Sequence, residues 1–296
     1  MEGAQRFAEI KGHKRIMPIL YVVATPIGNL KDITLRAIRI LQSVDLVAAE
    51  DTRTTRKLLN EYCITTSVTS YNEQNKVGKL PWMLEQLRLG DVALVSDAGM
   101  PGLSDPGFEL INAAHKEGFQ VVPIPGPSAV VAALVVSGMP SDQFTYIGFL
   151  PRKAGERRRL LDSLKDEPRT VVAFESPHRL RETLEEMSAV MGGRRIAVCR
   201  ELTKLHEEVF KGTVTEAFRY FQEPIGEFTL VIEGSRPSGI EAPDAAVRET
   251  LLRLRSNGIS AKDAVGEVCR ATGLPRNIVY REWLQLGSGG AHNGSS

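Results

Sequence analysis

Residues 94–107 read LVSDAGMPGLSDPG: an apolar run ends at an acid and gives way to a loop rich in glycine and proline. The short apolar segment 92–95 predicts a strand covered on both faces, and segment 108–116, which follows a proline, predicts a helix. In an open parallel sheet such a loop lies at the carboxyl edge, where ligands bind and where glycine lets backbone N–H groups approach them. We therefore expect Asp97 and Asp105 to flank a ligand; the alternative for Asp105 is a plain helix N-cap.

The same strand–loop–helix unit recurs on both sides of this loop. Apolar runs predict five strands, at residues 19–24, 45–49, 67–71, 92–95 and 121–124. Helical patterns follow them, at residues 33–43 (capped by Asp32), around 56–59, and at 79–88 (closed by Gly90), 108–116 and 129–137. Strict alternation and the right-handed crossover place every strand-to-helix loop at one edge of a parallel sheet.

A second α/β unit follows residue 140. Strands are predicted at residues 145–148, 170–174, 196–200, 207–211 and 228–233, and helices at 155–165, 180–191 and 214–221. No helix-length segment separates residues 200 and 207, which indicates antiparallel pairing and a mixed second sheet. Three helices are predicted beyond a linker at 234–243, at residues 245–255, 261–272 and 277–286. The last two form either a helix-turn-helix that contacts nucleic acid or a generic helical hairpin.

The fold class is therefore α/β, with a parallel-sheet N-terminal domain, a mixed-sheet second domain and a small helical C-terminal appendage. We place these three parts at residues 19–140, 141–234 and 244–286. A flexible extension at residues 1–18 and a disordered tail at 287–296 are expected to flank them.

Composition excludes several classes of protein. No stretch of the 296 residues approaches the roughly 18 apolar residues of a membrane span, and the first 18 residues lack the apolar core of a secretory signal, so we expect a cytoplasmic protein. The three cysteines are widely separated, which argues against disulfides and zinc and predicts buried thiols. A net charge of +1 gives nucleic acid no global attraction, so any RNA contact must rest on local clusters.

Local basic clusters do occur, and common nucleotide motifs do not. Neither GxGxxG after the first strand nor GxxxxGK[ST] is present, which argues against NAD and ATP, and no tight His or Cys cluster predicts a metal site, although an oxygen-ligated Mg²⁺ stays possible. Four basic residues in or beside the presumed ligand loops are candidates for RNA contact: Arg53, Arg56, Arg152 and Lys153. The arginine run 157–159 predicts a solvated helix face.

Seven ordered motifs resemble one known family. They are TPIGNLKDITLRA (residues 25–37), AEDTRTTRKLL (49–59), SDAGMPGLSDPG (96–107), PIPGPSA (123–129), GFLPRK (148–153), FESPHRL (174–180) and GEFTLVIEG (226–234). Together they are similar to the ribosomal RNA small subunit methyltransferase I family, a branch of the tetrapyrrole-methylase-like class III methyltransferases. The resemblance covers residues 19–234 and, more weakly, the C-terminal helices.

This resemblance implies a cleft between the two α/β domains that binds S-adenosylmethionine, and a homodimer. It also implies methylation of the ribose 2′-hydroxyl of a cytidine in the decoding region of 16S rRNA, on the small ribosomal subunit. Two alternatives stay open, a tetrapyrrole methyltransferase and a non-catalytic RNA- or nucleotide-binding module. The tetrapyrrole enzyme would need no helical appendage, and the binding module would not need the donor cleft.

The resemblance also implies which residues hold the methyl donor: Thr25, Pro26, Gly28, Asp97, Ala98, Gly99, Pro101, Gly102, Ser104, Asp105, Ser128 and Ala129. Met100 departs from the threonine expected at that position. A weakly acidic 2′-hydroxyl needs a base, and Glu50 and Asp51, in the loop after the second strand, are the candidates; helix capping is their alternative role. No individual roles are assigned to His178, Arg179, Glu201, Lys204, His206 and Glu207, which match family stretches.

Overall fold

The computed structural model describes residues 18–235 and 245–288. The chain divides at residue 235 into two compact units. Among the described residues, no helix is both long and apolar enough to cross a bilayer.

The first sheet is parallel throughout, with the strand order β3-β2-β4-β1-β5. Its strands are β1 (Ile19–Val23), β2 (Leu46–Ala49), β3 (Val68–Ser70), β4 (Val92–Val95) and β5 (Gln120–Ile124). Its helices are α1 (Leu35–Ser43), α2 (Thr52–Glu61), α3 (Lys76–Leu89), α4 (Phe108–Lys116) and α5 (Ala129–Ser137). Every residue of β1 and β4 is buried, because separate apolar clusters cover the two faces of the sheet.

The strand order reverses between β1 and β4. The chain leaves β1 toward β2 on one side and leaves β4 toward β5 on the other, so the loops after these two neighbouring strands run in opposite directions. A crevice opens at such a switch point, at the carboxyl ends of the strands. Residues 94–107 therefore stand at the position where parallel sheets bind ligands.

The second sheet is mixed, in the order β6-β7-β10-β8-β9, with β6 and β7 parallel and the other pairs antiparallel. Its strands are β6 (Phe144–Phe149), β7 (Thr170–Glu175), β8 (Arg195–Arg200), β9 (Glu208–Thr213) and β10 (Phe228–Ile232). Its helices are α6 (Ala154–Ser163), α7 (Pro177–Met191) and α8 (Val214–Tyr220). These three helices pack on one face of the sheet.

Helix α5 packs on the other face of the second sheet, although it follows the last strand of the first. Val130, Ala133 and Leu134 contact buried residues of β7, β8 and β10. Small side chains allow this close approach, which explains why the helix is built from alanine and valine. Helix α5 thus couples the loops of the first sheet to the second sheet.

The second unit is a bundle of three helices, α9 (Ala245–Ser256), α10 (Ala261–Thr272) and α11 (Arg276–Ser288). It has a core of its own, which includes Leu251, Val265 and Val279. Helix α10 begins after Ser260, whose hydroxyl accepts the N–H of Asp263, and ends at Gly273 in the left-handed conformation. The predicted helices are confirmed here.

Several local predictions are wrong. Helix α1 is capped by Thr34, whose hydroxyl accepts the N–H of Ala37, whereas Asp32 belongs to a preceding 3₁₀ turn. Helix α4 begins after Gly107 with no side-chain cap, which excludes the alternative role of Asp105 as its N-cap. Of the cysteines, Cys199 is buried, whereas Cys269 is only partly buried and Cys63 is exposed.

Arg157 corrects the predicted solvated arginine face. Its side chain is fully buried, and its Nε and Nη2 donate to the two carboxylate oxygens of Glu186 on α7 at 2.9 and 2.7 Å. Glu182 forms a second ion pair with Nη2 at 2.7 Å, while Arg158 and Arg159 stay exposed. Burial is possible because two acids from a neighbouring helix satisfy the guanidinium. Residues 1–17, 236–244 and 289–296, which hold most of the predicted extension, linker and tail, lie outside the described residues.

Candidate active site

A cavity of about 380 Å³ lies between the two sheets, at the carboxyl edge of the first. The loops after β1, β2, β4 and β5 form one wall, and the ends of β6, β7, β8 and β10 form the other. Six of the predicted donor-binding residues line it: Asp97, Ala98, Gly99, Asp105, Ser128 and Ala129. Glu50 lines it as well.

Thr25 holds the loop after β4 in place. Its backbone pairs in both directions with Gly99, with N···O distances of 2.8 and 3.1 Å, and its buried hydroxyl donates to the Ser96 carbonyl at 3.0 Å. Gly99 has φ of 78° and Gly102 has φ of 80°, which glycine adopts without steric cost. Thr25 therefore supports the cavity wall, and Gly99 lets that wall turn so that the backbone at this residue lines the cavity.

Gly28 joins the two sheets and does not line the cavity. A Cβ at this position would lie 2.5 Å from Cγ of Lys204 and 2.9 Å from Oγ1 of Thr203, so only glycine fits against this turn of the second sheet. The neighbouring N–H of Asn29 donates to Oγ1 of Thr203 at 3.1 Å. Any larger residue at position 28 would push the β1 loop away from the second sheet.

The turn that Gly28 contacts is held by its own charged residues. The Glu201 carboxylate accepts hydrogen bonds from Nζ of Lys204 at 3.0 Å and from the N–H of Glu227 at 2.8 Å. Glu207 accepts the N–H of Thr203 at 2.6 Å. This turn is thus shaped by three residues that match family stretches and had no assigned role: Glu201, Lys204 and Glu207.

Arg179 has a structural role of the same kind. Its guanidinium donates to the Leu150 carbonyl at 2.9 Å and pairs at 2.6 Å with Glu175, whose side chain is fully buried at the end of β7. Thr183 and the N–H of Ser176 donate to the same carboxylate, each at 2.7 Å. The network fixes the loop that enters α7, on the cavity wall.

The cavity is acidic. Among the described residues that line it are Glu50, Asp97, Asp105, Glu175 and Glu227, and none is Lys, Arg or His. Burial raises the pKa of Asp105 to about 7, helped by the charges of Glu50 and Asp97 and opposed by a hydrogen bond with Ser96. Partial desolvation also raises the pKa values of Glu50 and Asp97. Such a cavity favours a cationic ligand and opposes an anionic one.

The two base candidates have different surroundings. Asp51 caps α2, accepts the N–H of Arg53 at 2.7 Å and pairs with its guanidinium at 2.8 Å; these hydrogen bonds lower the pKa of Asp51 to about 2. Glu50 is half-buried in the cavity wall with a raised pKa, and its carboxylate accepts the N–H of Asp97 at 3.3 Å. Proton acceptance near neutral pH favours Glu50 over Asp51.

The remaining predicted residues lie beside the cavity. Pro26 and Pro101 are buried in its supporting loops, and Gly102 and Ser104 stand on the outer part of the β4 loop, where Oγ of Ser104 lies 2.7 Å from the Tyr146 hydroxyl. The four RNA-binding candidates, Arg53, Arg56, Arg152 and Lys153, are all exposed. Arg53 is paired with Asp51 and Lys153 with Glu156. Among the described residues, no group of three or more His, Cys, Asp or Glu could hold a metal ion.

Sequence reasoning missed the aromatic wall of the cavity. The rings of Phe149 and Phe174 face it from the second sheet, whereas Phe228 borders the cavity but packs its ring against Phe221 in the core on the other face of that sheet. The signal was present, since both cavity-facing phenylalanines stand within one residue of a strand end, in the motifs GFLPRK and FESPHRL. Finding it required the knowledge that β6 and β7 are paired, which brings the two strand ends together.

Comparison with known proteins shows the following relationships. Residues 19–217 match the family model of the Tetrapyrrole (Corrin/Porphyrin) Methylases. Residues 241–287 match that of the RsmI C-terminal HTH domain, which confirms a helix-turn-helix, while its contact with nucleic acid stays a prediction. The ribosomal RNA small subunit methyltransferase I of Synechocystis is 46% identical over 93% of this chain and 100% of its own length. The protein of that name from Halalkalibacterium halodurans is 44% identical over 90% of this chain and 94% of its own length. That from Thermotoga maritima is 50% identical and covers 73% of this chain and 98% of its own length.

Solved structures share the fold at lower identity. A diphthine synthase superposes with a TM-score of 0.58 at 14% identity, covering 73% of this chain and 90% of its own. Uroporphyrin-III C-methyltransferase from Thermus thermophilus, complexed with S-adenosylhomocysteine, superposes with a TM-score of 0.53 at 17% identity, covering 72% of this chain and 96% of its own. These likenesses establish the architecture of the first unit.

Proposed function

The chain belongs to the ribosomal RNA small subunit methyltransferase I family within the tetrapyrrole (corrin/porphyrin) methylases, and from that premise we propose that it methylates the ribose 2′-hydroxyl of a cytidine in the decoding region of 16S rRNA. Membership makes it an S-adenosylmethionine-dependent methyltransferase of ribosomal RNA. Our proposal adds three features of the reaction: the cytidine nucleotide, the 2′-oxygen as acceptor atom, and the assembled small subunit as substrate. It also places the protein in the cytoplasm.

The acid-lined cavity carries this proposal. S-adenosylmethionine is a cation at its reactive sulfur, and when bound it supplies a methyl group with a neutral thioether as leaving group. The carboxylates of Asp97 and Asp105 fit its positive and hydrogen-bond-donating groups, while the turned backbone at Gly99 and the N-terminal residues of α5, Ser128 and Ala129, form the adjoining wall. None of the described residues that line the cavity is a base that would attract a nucleoside triphosphate instead.

Glu50 is the proposed proton acceptor. The 2′-oxygen forms its new bond to the methyl carbon as the carbon–sulfur bond breaks, and the hydroxyl proton passes to the Glu50 carboxylate. Desolvation raises the pKa of Glu50, which makes it a better base than an exposed glutamate. Much of the rate in such an in-line displacement comes from holding the two reactants in line, which is the task of the loop tied down by Thr25.

A tetrapyrrole substrate is disfavoured by the same charges. Porphyrin precursors carry many carboxylates, which the cavity acids Glu50, Asp97 and Asp105 would repel. The other two acids of the cavity wall, Glu175 and Glu227, are neutralised by ion pairs with Arg179 and Lys204. RNA is a better substrate for this charge distribution, because four exposed basic residues outside the cavity can pair with phosphates: Arg53, Arg56, Arg152 and Lys153. The helix-turn-helix unit is the further proposed contact with the subunit. We also propose a homodimer, which sedimentation as a monomer at micromolar concentration would contradict.

The function is tested by mass spectrometry of labelled product. Small subunits that lack the modification are incubated with the protein and labelled donor, and the 16S rRNA is digested to nucleosides. The expected product is 2′-O-methylcytidine from assembled subunits, with much less from naked 16S rRNA. Label on a base would contradict the 2′-hydroxyl as acceptor, and equal activity on naked RNA would contradict the assembled substrate.

A further inference from the structure

Strand β6 contains a bulge next to the cavity. Tyr146 pairs with Val172 and Phe149 with Phe174, so three steps along β6 match two along β7. Gly148, within the bulge, has φ of 69°, and a Cβ there would lie 3.0 Å from Oγ of Ser104. Bulges of this kind redirect a side chain, and they occur often beside active sites.

The bulge brings two aromatic rings to the same face of the sheet. In a regular strand, residues three apart point to opposite faces. Here the rings of Tyr146 and Phe149 both pack against Phe174, with centroid distances of 5.4 and 5.5 Å and interplanar angles of 70° and 60°. Phe149 is therefore aimed at the cavity by the backbone and held there by an edge-to-face contact.

Phe149 is nevertheless 54% exposed, although it lines the cavity. An apolar ring that is fixed in place and half open to solvent offers a flat surface to a ligand. Three residues further along the chain, Arg152 is exposed, and within the described residues its guanidinium has no hydrogen bond or ion pair. A rigid aromatic ring followed closely by a free guanidinium matches a nucleotide, whose base stacks while its phosphate pairs.

We propose that Phe149 is the platform on which the target pyrimidine base stacks, with Arg152 pairing with the adjoining phosphate. This inference rests on the proposed function and adds the site that holds the acceptor nucleotide. The methyl donor is a poorer occupant, since its predicted residues lie on loops of the first sheet and a cationic ligand would gain nothing from Arg152. Stacking also tolerates any base, so Phe149 would position the nucleotide without selecting cytidine.

The test compares substitutions at Phe149 in the full-length protein. F149A should lower kcat/KM for small subunits roughly 10- to 100-fold, the loss typical of one base–aromatic stack. F149W should keep most of the activity, whereas F149L, which is apolar but cannot stack, should behave like F149A. Calorimetry should show S-adenosylmethionine affinity unchanged within about twofold in all three variants. Thermal unfolding checks that each variant is folded.

Phe144 supplies the matched control. It lies on the same strand at the opposite end from the cavity and is 39% exposed, so F144A should leave kcat/KM unchanged. Full activity of F149L, or loss of donor affinity in F149A, would overturn the stacking site. If the wild-type protein forms no 2′-O-methylcytidine, the proposed function itself fails; wild-type activity with an active F149L variant overturns the stacking site alone.

Discussion

The charge of the cavity should change with solution pH because the Asp105 carboxyl ionises near neutral pH. Burial raises its pKa to about 7, so the carboxyl is largely neutral at pH 6 and largely ionised at pH 8. A cationic donor binds the ionised form more tightly, and its affinity should therefore rise roughly 10-fold between pH 6 and pH 8. Calorimetric titration with S-adenosylmethionine across this range measures the effect. D105N should bind more weakly at pH 8 and show a flatter profile; a wild-type profile that falls with pH would contradict this role.

Glu50 and Asp51 are adjacent, yet their substitution should affect different properties. E50Q removes the proposed proton acceptor, and kcat should fall on the order of 10²- to 10⁴-fold while donor affinity changes little. Single-turnover methylation of small subunits at saturating donor measures the step. Wild-type turnover in E50Q would exclude Glu50 as the base.

D51N is the matched control for that substitution. Asparagine also caps helices well, so α2 should be retained, and only the ion pair with Arg53 is weakened. Activity should stay within a few-fold of wild type. A larger loss of kcat in D51N than in E50Q would reverse the assignment.

Residues of the first sheet could be predicted well because their chemistry is local. Buried parallel strands read as apolar runs, and the bounds of α4 and α5 follow from the switch to helical periodicity. The raised pKa of Asp105 could not be predicted, because its surroundings include Ser96 and Glu50, which only the fold brings near it. The base candidates were found by position alone, since parallel topology fixes where the loop after β2 must lie.

At the scale of elements, the packing of helix α6 against helix α7 could not be predicted from a sequence pattern. Three consecutive arginines predict a solvated face, but Arg157 is buried by acids that lie 29 and 25 residues further along the chain. The aromatic wall was missed for the same reason, because its two phenylalanines, Phe149 and Phe174, come from two separate strands. Both features depend on contacts between segments that are distant in the chain. The residue propensities of a single segment do not indicate such contacts.

The buried Arg157 network should hold α6 on α7. R157A removes the buried guanidinium and its charged hydrogen bonds, but the Glu182 side chain that it leaves is 57% exposed, so the protein should be destabilised by roughly 1.5–3 kcal/mol. R158A, in the next position but half-exposed, should change stability by about 0.5 kcal/mol or less. Urea unfolding followed by circular dichroism compares the two variants. Equal stability of R157A and R158A would show that the network contributes nothing net.

At the scale of the whole molecule, the acidic cavity and the helix-turn-helix unit are separate in the chain. Every described residue that lines the cavity precedes residue 235, and each unit has its own apolar core. The first unit should therefore fold and bind the donor without the second.

A chain that ends at Ser235 tests whether the first unit binds the donor without the second unit. Donor affinity should stay within about twofold of wild type, because no cavity residue is removed, whereas kcat/KM for small subunits should fall roughly 10-fold or more, because one of two linked RNA contacts is lost. The truncated chain should also show a weaker dependence of activity on salt, since fewer phosphates are paired. Calorimetry with S-adenosylmethionine and labelled methyl transfer over a salt series measure these effects. Wild-type activity of the truncated chain would exclude the helix-turn-helix unit from substrate binding, and loss of donor affinity would show that the first unit depends on it.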